Sequence, residues 1–269
     1  RRVTSRWKTR VTSQWKSTDC IPLRDCVGLL AKTLTEHDSL LCADIRYLGP
    51  DDARGSWEET DLLKHGRAHP VRTFPTQGVR EETNAGLFWS LAFALRRSTF
   101  VALGGFDEGF TGYGAEDTDF GFRAAAAGLK LLFVGQAIAC HQYHDSYEPP
   151  VQHVADIVRN ARVFQARWER WPMEGWLADF ERLGLVRWQG NALDLVRLPT
   201  DCEMAASRVE PAGWSKLGDD TGTIEVRGRK KHRTLSQCLS QPSGRSQGQT
   251  LASDESRRSS GRNETTGLC

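Results

Sequence analysis

Three carboxylates directly follow a glycine-rich stretch in the middle of the chain. Glycines stand at 104, 105, 109, 112 and 114, and Glu116, Asp117 and Asp119 come next. Glycine tolerates positive φ and leaves room beside the backbone, so the stretch predicts a tight loop against a substrate. Neighbouring carboxylates raise one another's proton affinity unless a cation, sugar hydroxyls or a general-base role engages them. The pattern indicates acid–base or cation chemistry, and helix capping by the same acids is the structural alternative.

Two histidines lie about two dozen positions further along the chain. His141 and His144 follow a predicted short strand within Cys-His-Gln-Tyr-His at 140–144. Imidazoles near carboxylates can bind a divalent cation, although a pair of histidines is more often structural. Cys140 is the weakest candidate ligand, because a hard cation prefers oxygen and imidazole to thiolate.

The elements that must position these residues alternate between helices and strands. Apolar residues at helical spacing indicate helices. Short apolar runs bounded by glycine or proline indicate strands. Helices are expected at residues 21–38, 97–103, 117–127, 151–168 and 176–183, and strands at 40–47, 88–95 and 130–134. Strands that alternate with helices predict an α/β layer architecture. The tryptophans of the later helices are interpreted as core packing.

Composition and charge limit the class of protein. The chain has 269 residues, of which 39% are hydrophobic and 26% charged, with a formal net charge of +2. That charge is too small to predict a nucleic-acid partner. The seven cysteines are scattered and form no Cys-x-x-Cys pair, which argues against a disulfide framework or zinc ribbon and favours a reducing, cytoplasmic location. No apolar run reaches the roughly 18 residues that span a bilayer.

The two ends of the chain differ from the middle in composition. Residues 1–18 hold a short basic repeat and are expected to form a disordered leader, with peripheral contact to an anionic membrane surface as the alternative to a solvated arm. Residues 19–200 are expected to be the folded domain. Residues 201–269 become rich in Ser, Arg, Gln, Gly and Thr and are expected to form a disordered tail.

Together the motifs resemble those of family 2 glycosyltransferases that have the carboxyl-terminal galactosyltransferase-type segment. The resemblance rests on Gly-Gly-Phe-Asp-Glu at 104–108, Gly-x-Glu-Asp-x-Asp-Phe at 114–120, Arg123, and His-Gln-Tyr-His at 141–144. It extends loosely from residue 19 to about 186. It implies a partial GT-A fold, in which a nucleotide-sugar lies at the carboxyl ends of a Rossmann-like sheet, followed by helices and tails. The amino-terminal part that binds the nucleotide in such enzymes is expected to be missing from this chain.

The resemblance also implies roles for individual residues. Asp117 looks like the general base and Glu116 like the residue that positions the acceptor. The Asp-x-Asp metal motif would fall at 17–19, where a serine replaces the first acid, so only Asp19 is carried over as a metal or ribose contact. His141 and His144 would complete a site for Mn2+ or Mg2+. The expected substrate contacts are Trp89, Gly104, Gly105, Asp107, Asp119 and Arg123, with a core role as the alternative for the tryptophan.

The activity implied by the resemblance is sugar transfer from a nucleotide-sugar donor to a hydroxyl of a saccharide or other acceptor. Direct displacement with inversion and a metal requirement are expected. A non-catalytic carbohydrate-binding or interaction remnant of such an enzyme is the second hypothesis. A metal-dependent hydrolase is the third, and it is disfavoured because no activated-nucleophile motif accompanies the acids.

Overall fold

The computed structural model describes residues 19–209. The strands in chain order are β1 (Cys20–Pro22), β2 (Leu40–Tyr47), β3 (Arg67–Ala68), β4 (Val79–Glu82), β5 (Phe93–Ala94), β6 (Leu131–His141), β7 (Val186–Gln189) and β8 (Ala192–Leu195). The α-helices are α1 (Cys26–Glu36), α2 (Glu59–His65), α3 (Arg97–Ala102), α4 (Glu116–Ala126), α5 (Val154–Trp168), α6 (Glu174–Arg182) and α7 (Asp201–Ser207). Short 3-10 turns lie at Ala85–Leu87 and Val151–His153.

Strand β6 is the centre of the main sheet. It runs parallel to β2, and its two ends pair antiparallel with different strands, β4 at the beginning and β1 at the end. Strands β3 and β5 pair with the far side of β2. The ladder between β2 and β6 shifts register opposite Ala43 and Asp44, where β6 bulges. The sheet therefore carries the end of β6, with its histidine, next to the end of β2.

Helices cover both faces of the sheet. Leu30 and Leu34 of α1 pack with Leu41 and Ala43 of β2 in one core cluster. Phe120 of α4 packs with Phe88, Phe93 and Phe133 in a second cluster. Gly121 lets α4 approach the chain closely, because a Cβ there would collide with the carbonyl oxygen of Ala85. The close approach packs the middle of α4 against the first 3-10 turn.

A third apolar cluster lies beyond the sheet. It is built from α5, α6 and the β7–β8 hairpin, with Ile157, Ala161, Leu177 and Phe180 fully buried. The apolar stripe predicted for residues 151–168 forms this interface. Gly184 has a φ of +67° and follows the last residue of α6 by two positions, as expected for a helix end. The cluster supports α5, which reaches back to the glycine-rich loop.

The structure confirms the α/β class and most of the predicted helices. The strand predicted at 88–95 is wrong over most of its length: only Phe93–Ala94 pairs, because this apolar run is buried by packing under α4 rather than by a sheet ladder. The strand predicted at 130–134 continues to His141. Strands β4, β7 and β8 were not predicted, since each has only four residues and little apolar alternation.

Helix α7 lies beyond the boundary predicted at residue 200. It begins with a capping box in which Thr200 and Glu203 bond each other's backbone, so the local sequence defines the helix start. The predicted leader at 1–18, and the part of the predicted tail after residue 209, lie outside the described residues. Within residues 19–209, no helix has the length and hydrophobicity needed to cross a bilayer.

Candidate active site

The acids of the central motif lie in the first turn of α4. The chain reaches them through Gly114 and Ala115, which have φ values of +97° and +73°. This left-handed turn reverses the loop into the helix, and an alanine there is strained where a glycine would be relaxed. Glu116 and Asp117 follow at the helix start, where the backbone amides favour negative charge.

Asp117 is held by the neighbouring segment. Its Oδ2 accepts a hydrogen bond from the backbone N–H of Ser90 at 3.0 Å, and the side chain is half-buried. Ser90 comes directly after Trp89, so the carboxylate lies beside the predicted stacking residue. The arrangement orients one carboxylate that is partly shielded from water, as a general base requires.

Asp119 has a different environment from Asp117. Its side chain has no exposed surface, and its two oxygens accept hydrogen bonds from Arg123 Nε at 2.7 Å, Arg167 Nη1 at 2.7 Å and Trp168 Nε1 at 3.0 Å. Three donors surround this fully buried carboxylate. In this structure Asp119 joins α4 to α5, and the substrate contact predicted for it stays a prediction.

Arg123 and Asp107 belong to the same network. The guanidinium of Arg123 donates to the carbonyl oxygens of Leu103 at 2.6 Å and Gly105 at 2.8 Å. Asp107 accepts from Arg167 and from the backbone N–H of Gly109, and these bonds, with Arg167 the larger cause, lower the pKa of Asp107.

The glycine pair at the start of the loop lies next to the Arg123 network. Gly104 and Gly105 have φ values of +79° and +68°, which turn the chain after α3 toward Arg123. Gly105, Asp107 and Arg123 hold the loop through these bonds, and the substrate contacts predicted for Gly104, Gly105, Asp107 and Arg123 stay predictions.

Asn160 of α5 holds the second half of the glycine-rich loop, and sequence reasoning missed it. Its Nδ2 donates to the carbonyl oxygens of Thr111, Tyr113 and Gly114 at 2.9–3.2 Å, and its Oδ1 accepts from Thr111 N–H at 3.3 Å. The residue is fully buried. An amide in the apolar stripe of α5 was the available signal, because a buried amide needs partners.

Tyr113 and Glu116 form the outer edge of the site. Tyr113 is 42% exposed, and its ring stacks on His153 with the centroids 4.3 Å apart. The pKa of Tyr113 is raised, mainly by partial burial and to a smaller extent by the nearby charge of Glu116, so the phenol stays neutral. Glu116 itself is half-buried and lies between this ring and Asp117 in the chain.

The two motif histidines face each other at the end of β6. The Nε2 atoms of His141 and His144 are 3.2 Å apart. Two nitrogen ligands at about 2.1 Å from one ion, with an angle between 90° and the tetrahedral value, are about 3.0–3.4 Å apart. Burial, followed by the neighbouring imidazole, lowers the pKa of His141, which keeps it neutral as metal binding requires. The separation is compatible with two ligands of one divalent cation, and it equally suits an N–H···N hydrogen bond between the two rings.

The third predicted metal ligand is less well placed. Asp19 acts electrostatically on His141, and its carbonyl oxygen accepts from Gln142 N–H at 2.7 Å where β1 meets β6. Within residues 19–209, however, no group of three or more His, Cys, Asp and Glu side chains is arranged to hold an ion. The predicted Asp19–His141–His144 set is thus represented by two facing imidazoles with an acidic neighbour.

A line of ring contacts joins the imidazole pair to Trp89. His141 contacts Tyr47 at 5.3 Å between centroids, Tyr47 contacts His69 at 5.9 Å, and His69 meets Trp89 edge-on at 4.7 Å. We call Tyr47, His69, Trp89, His141 and His144 the Tyr47 cluster. Trp89 is adjacent in sequence to Ser90, whose backbone binds Asp117. The candidate base therefore borders the Tyr47 cluster, which contains the candidate metal pair.

Four buried cysteines are free thiols, three of them in strands of the sheet and one at the start of α1: Cys20, Cys42, Cys140 and Cys26. Burial raises the pKa of Cys26 to about 12, and of Cys42 and Cys140 to about 11. A thiol that stays protonated is a poor nucleophile and a poor metal ligand. This agrees with the low rank given to Cys140 as a ligand.

Comparison with known proteins supports the glycosyltransferase interpretation. Residues 75–145 match a family model described as the N-terminal domain of galactosyltransferase. N-acetylglucosaminyl-diphospho-decaprenol L-rhamnosyltransferase of Mycobacterium tuberculosis is 29% identical over 166 residues, which are 58% of this chain and 50% of the relative. Validoxylamine A glucosyltransferase of Streptomyces hygroscopicus is 46% identical over 44 residues, 16% of this chain and 10% of the relative. The chain spans half the length, or less, of these curated relatives.

Among solved structures, GalNAc-T7 with UDP, GalNAc and Mn2+ overlaps this chain at a TM-score of 0.37 and 18% identity, covering 56% of this chain and 30% of that one. A TM-score of 0.37 is too low to transfer the fold or the ligands of that structure to this chain. The family model and the curated relatives confirm the resemblance to galactosyltransferase-type glycosyltransferases. The matched segment contains the acids of α4 and the imidazole pair.

Proposed function

We propose that this chain supplies the acceptor side of a family 2 glycosyltransferase of GT-A type, which moves a sugar from a nucleotide-sugar to a hydroxyl group. The observation that carries the proposal is the position of Asp117, held by Ser90 N–H at the start of α4 inside the segment that matches the galactosyltransferase model. Residues 19–209 form the domain in this proposal, which extends the predicted boundary by helix α7.

Asp117 takes the proton from the acceptor hydroxyl in this mechanism. The freed oxygen attacks the anomeric carbon, the bond from that carbon to the diphosphate oxygen breaks, and the sugar is transferred with inversion. Glu116, one residue earlier, orients the acceptor, with the exposed ring of Tyr113 beside it. A positioned base of this kind contributes about 10²–10⁴-fold to a rate.

A divalent cation, Mn2+ or Mg2+, would be held by His141 and His144, and its charge would offset the charge of the leaving diphosphate. Asp19 is the proposed additional oxygen ligand. The support is the 3.2 Å separation of the two Nε2 atoms together with the acidic neighbour. We also propose that the protein acts in the cytoplasm: the four buried thiols of the sheet region are free, although Cys202 in α7 is disulfide-bonded.

The names of the relatives suggest which substrates to test. One transfers L-rhamnose to a sugar–diphosphate–lipid, and the other transfers glucose to validoxylamine A. We therefore include in the proposal both nucleotide-activated rhamnose or hexose as donor and sugar-diphosphate acceptors. Which of them this chain uses is decided by assay.

The test is a transfer assay with the chain, a panel of nucleotide-sugars, Mn2+, and saccharide or sugar-diphosphate acceptors, with product detected by mass spectrometry. Product that requires both acceptor and metal supports the proposal. Absence of metal-dependent binding to any nucleotide-sugar would support the second hypothesis, a carbohydrate-binding remnant. Free sugar released without an acceptor would favour a hydrolase.

A further inference from the structure

Three aromatic side chains from separate segments meet at the outer edge of the candidate site. Tyr113 lies near the end of the glycine-rich loop, His153 in the second 3-10 turn and Trp176 in α6. The rings of Tyr113 and His153 are nearly parallel, at 11°, with their centroids 4.3 Å apart. The ring of Trp176 lies 6.2 Å from that of Tyr113 and is tilted by 32°. We call these three residues the ring row, and the proposed mechanism uses only its tyrosine.

The ring row is accessible from solvent. Tyr113 is an exposed residue, and His153 and Trp176 are half-buried. By contrast, Phe88 and Phe120 have no exposed surface. Trp176 also packs against the third apolar cluster, which holds its ring in place. An aromatic ring that is fixed on one side and accessible on another offers a ligand a flat apolar surface.

Two glutamates lie beside the ring row. Trp176 Nε1 donates to Glu148 Oε1 at 3.2 Å, and Glu148 is an exposed residue. Glu116 and Glu148 both act electrostatically on the phenol of Tyr113, so both acids lie near it. A sugar ring has an apolar face of C–H groups and hydroxyl groups around its rim. Accessible aromatic rings match that face, and carboxylates match the hydroxyl donors.

Trp171 and Trp188 show a different aromatic arrangement in the same part of the fold. Their rings meet edge-on at 82°, with centroids 6.1 Å apart. Trp171 Nε1 donates to the backbone carbonyl oxygen of Gly190, in the turn of the β7–β8 hairpin, rather than to a carboxylate. This pair ties the hairpin to the end of α5. Trp171 is therefore a matched control for Trp176.

The ring row adjoins the candidate base. Tyr113 precedes Glu116 by three positions, and Asp117 also acts electrostatically on its phenol. Asn160 Nδ2 donates to the carbonyl oxygen of Tyr113 at 3.2 Å, which helps to fix the loop that carries the ring. Trp89, the predicted stacking residue, belongs to the Tyr47 cluster instead. The ring row is thus a second aromatic surface next to the proposed site of transfer.

We propose that Trp176, His153 and Glu148 bind a second, neutral sugar ring of the acceptor, adjoining the ring whose hydroxyl is attacked. This rests on the proposed function. The structure offers two units of an aromatic ring and an acid: Tyr113 with Glu116, directly before the base, and Trp176 with Glu148. The first unit takes the reacting ring and the second its neighbour. The chain then prefers acceptors with two or more rings to monosaccharides.

The experiment measures acceptor binding in EDTA and without donor, so the result does not depend on turnover. The full chain is titrated with N-acetylglucosamine, glucose and galactose, and with the disaccharides chitobiose, cellobiose and lactose. Calorimetry and tryptophan fluorescence are the readouts. The variants are Trp176→Leu, which keeps an apolar side chain on the third cluster, and Glu148→Gln, which keeps the shape of the acid. Trp171→Leu is the control, and circular dichroism and urea midpoints verify folding.

The wild type should bind at least one disaccharide about tenfold or more tightly than its monosaccharide, because the second ring adds apolar contact and hydroxyl bonds. Trp176→Leu should reduce this preference to less than about threefold and leave monosaccharide affinity nearly unchanged. Glu148→Gln should reduce the preference partly, since a neutral amide accepts weaker hydrogen bonds than a carboxylate. Trp171→Leu should keep the full preference.

A wild-type chain that binds no disaccharide more tightly than its monosaccharide would overturn the proposal. A preference that survives in Trp176→Leu, or that falls equally in Trp171→Leu, would also overturn it. If Trp176→Leu does not fold, Glu148→Gln decides by the same comparison. Transfer is assayed separately. A disaccharide preference without any transfer would contradict the sugar-transfer proposal and favour the carbohydrate-binding remnant, whereas transfer without the preference would contradict only the second-ring proposal.

Discussion

The carboxylate of Asp119 and the guanidinium of Arg167, 48 positions apart in the sequence, meet at 2.7 Å where α4 packs against α5. Arg167 also binds Asp107 through its other terminal nitrogen, so one arginine ties the helix start to the glycine-rich loop. The motif acids consequently divide into two kinds. The carboxylate of Asp119 is buried and bonded to Arg167, whereas the carboxylate of Asp117 is bonded to Ser90 next to the Tyr47 cluster.

Asp119→Asn should destabilise the fold rather than alter substrate affinity. The change leaves two guanidinium groups without their buried counter-charge, which costs about 3 kcal/mol of unfolding free energy, near the lower end for a buried pair because Arg167 is 36% exposed. Urea denaturation measures the loss. Asp194→Asn, which breaks the exposed pair with Arg162, is the control and should change stability by less than about 1 kcal/mol. Similar stability for both variants would contradict the bracing role.

Asp117→Asn should abolish transfer and leave folding and donor binding intact. The amide keeps the shape and can still accept from Ser90 N–H, but it cannot take the acceptor proton. A fall in kcat of about 10²–10⁴-fold is expected. Product formation and donor affinity are measured side by side, with Asp194→Asn again as control. Unchanged turnover would remove Asp117 from its proposed role.

His141→Ala and His144→Ala should each weaken the response to Mn2+. Loss of one of two facing imidazoles removes a metal ligand, and an increase of about tenfold or more in the metal concentration needed for half-maximal activity is expected. Direct Mn2+ binding by calorimetry is a second readout that does not depend on turnover. His65→Ala, which affects only an imidazole paired with Asp52, is the control. Identical metal responses in all proteins would make the motif pair structural.

Asn160→Ala should loosen the glycine-rich loop. Three backbone carbonyls would lose their shared donor in a buried position, so a stability loss of roughly 2–4 kcal/mol is expected. Faster amide hydrogen exchange across residues 111–114, with a raised KM for the acceptor, would show that the loop itself is affected. Exchange that increases equally across α5 and α6 would instead indicate general unfolding.

Much of the fold could be predicted because its signals are local. Helix α4 follows from its glycine-rich entry and first-turn acids, and β2 from a mostly apolar segment that contains only Asp44 and Arg46 as charged residues. The short β5 could not be predicted, since the run at 88–95 reports burial without saying whether a ladder or a helix supplies it.

The residue types of the site could be predicted from the sequence, but the separate roles of Asp117 and Asp119 could not. Sequence spacing places Asp117 and Asp119 two positions apart, yet on a helix this separation points them in different directions, one toward Ser90 and one toward Arg167. Partners 27 and 48 positions away decide which acid is available. Asn160 carries no motif, and only its surroundings in the folded chain reveal it.

The stability of the α7 region should depend on pH through Glu203. This carboxylate is 8% exposed and accepts from Arg197 at 2.7 and 2.8 Å and from the backbone and hydroxyl of Thr200. These bonds, that of Arg197 first, lower the pKa of Glu203 from 4.5 to about 2. Because the folded pKa lies below the unfolded one, the contribution is complete above pH 4.5 and is lost as the pH falls toward 2.

Glu203→Gln isolates this contribution from the other carboxylates. The wild type should be more stable than the variant by roughly 1–3 kcal/mol at neutral pH, a range that allows for screening at the partly exposed Arg197. The difference should shrink steadily as the pH is lowered from about 5, because protonated Glu203 loses its charge-assisted bonds while the amide is insensitive to pH. Urea midpoints of both proteins at several pH values supply the measurement. A difference that stays constant down to the lowest pH at which both proteins fold would show that the Arg197 pair does not stabilise the native state through its charge.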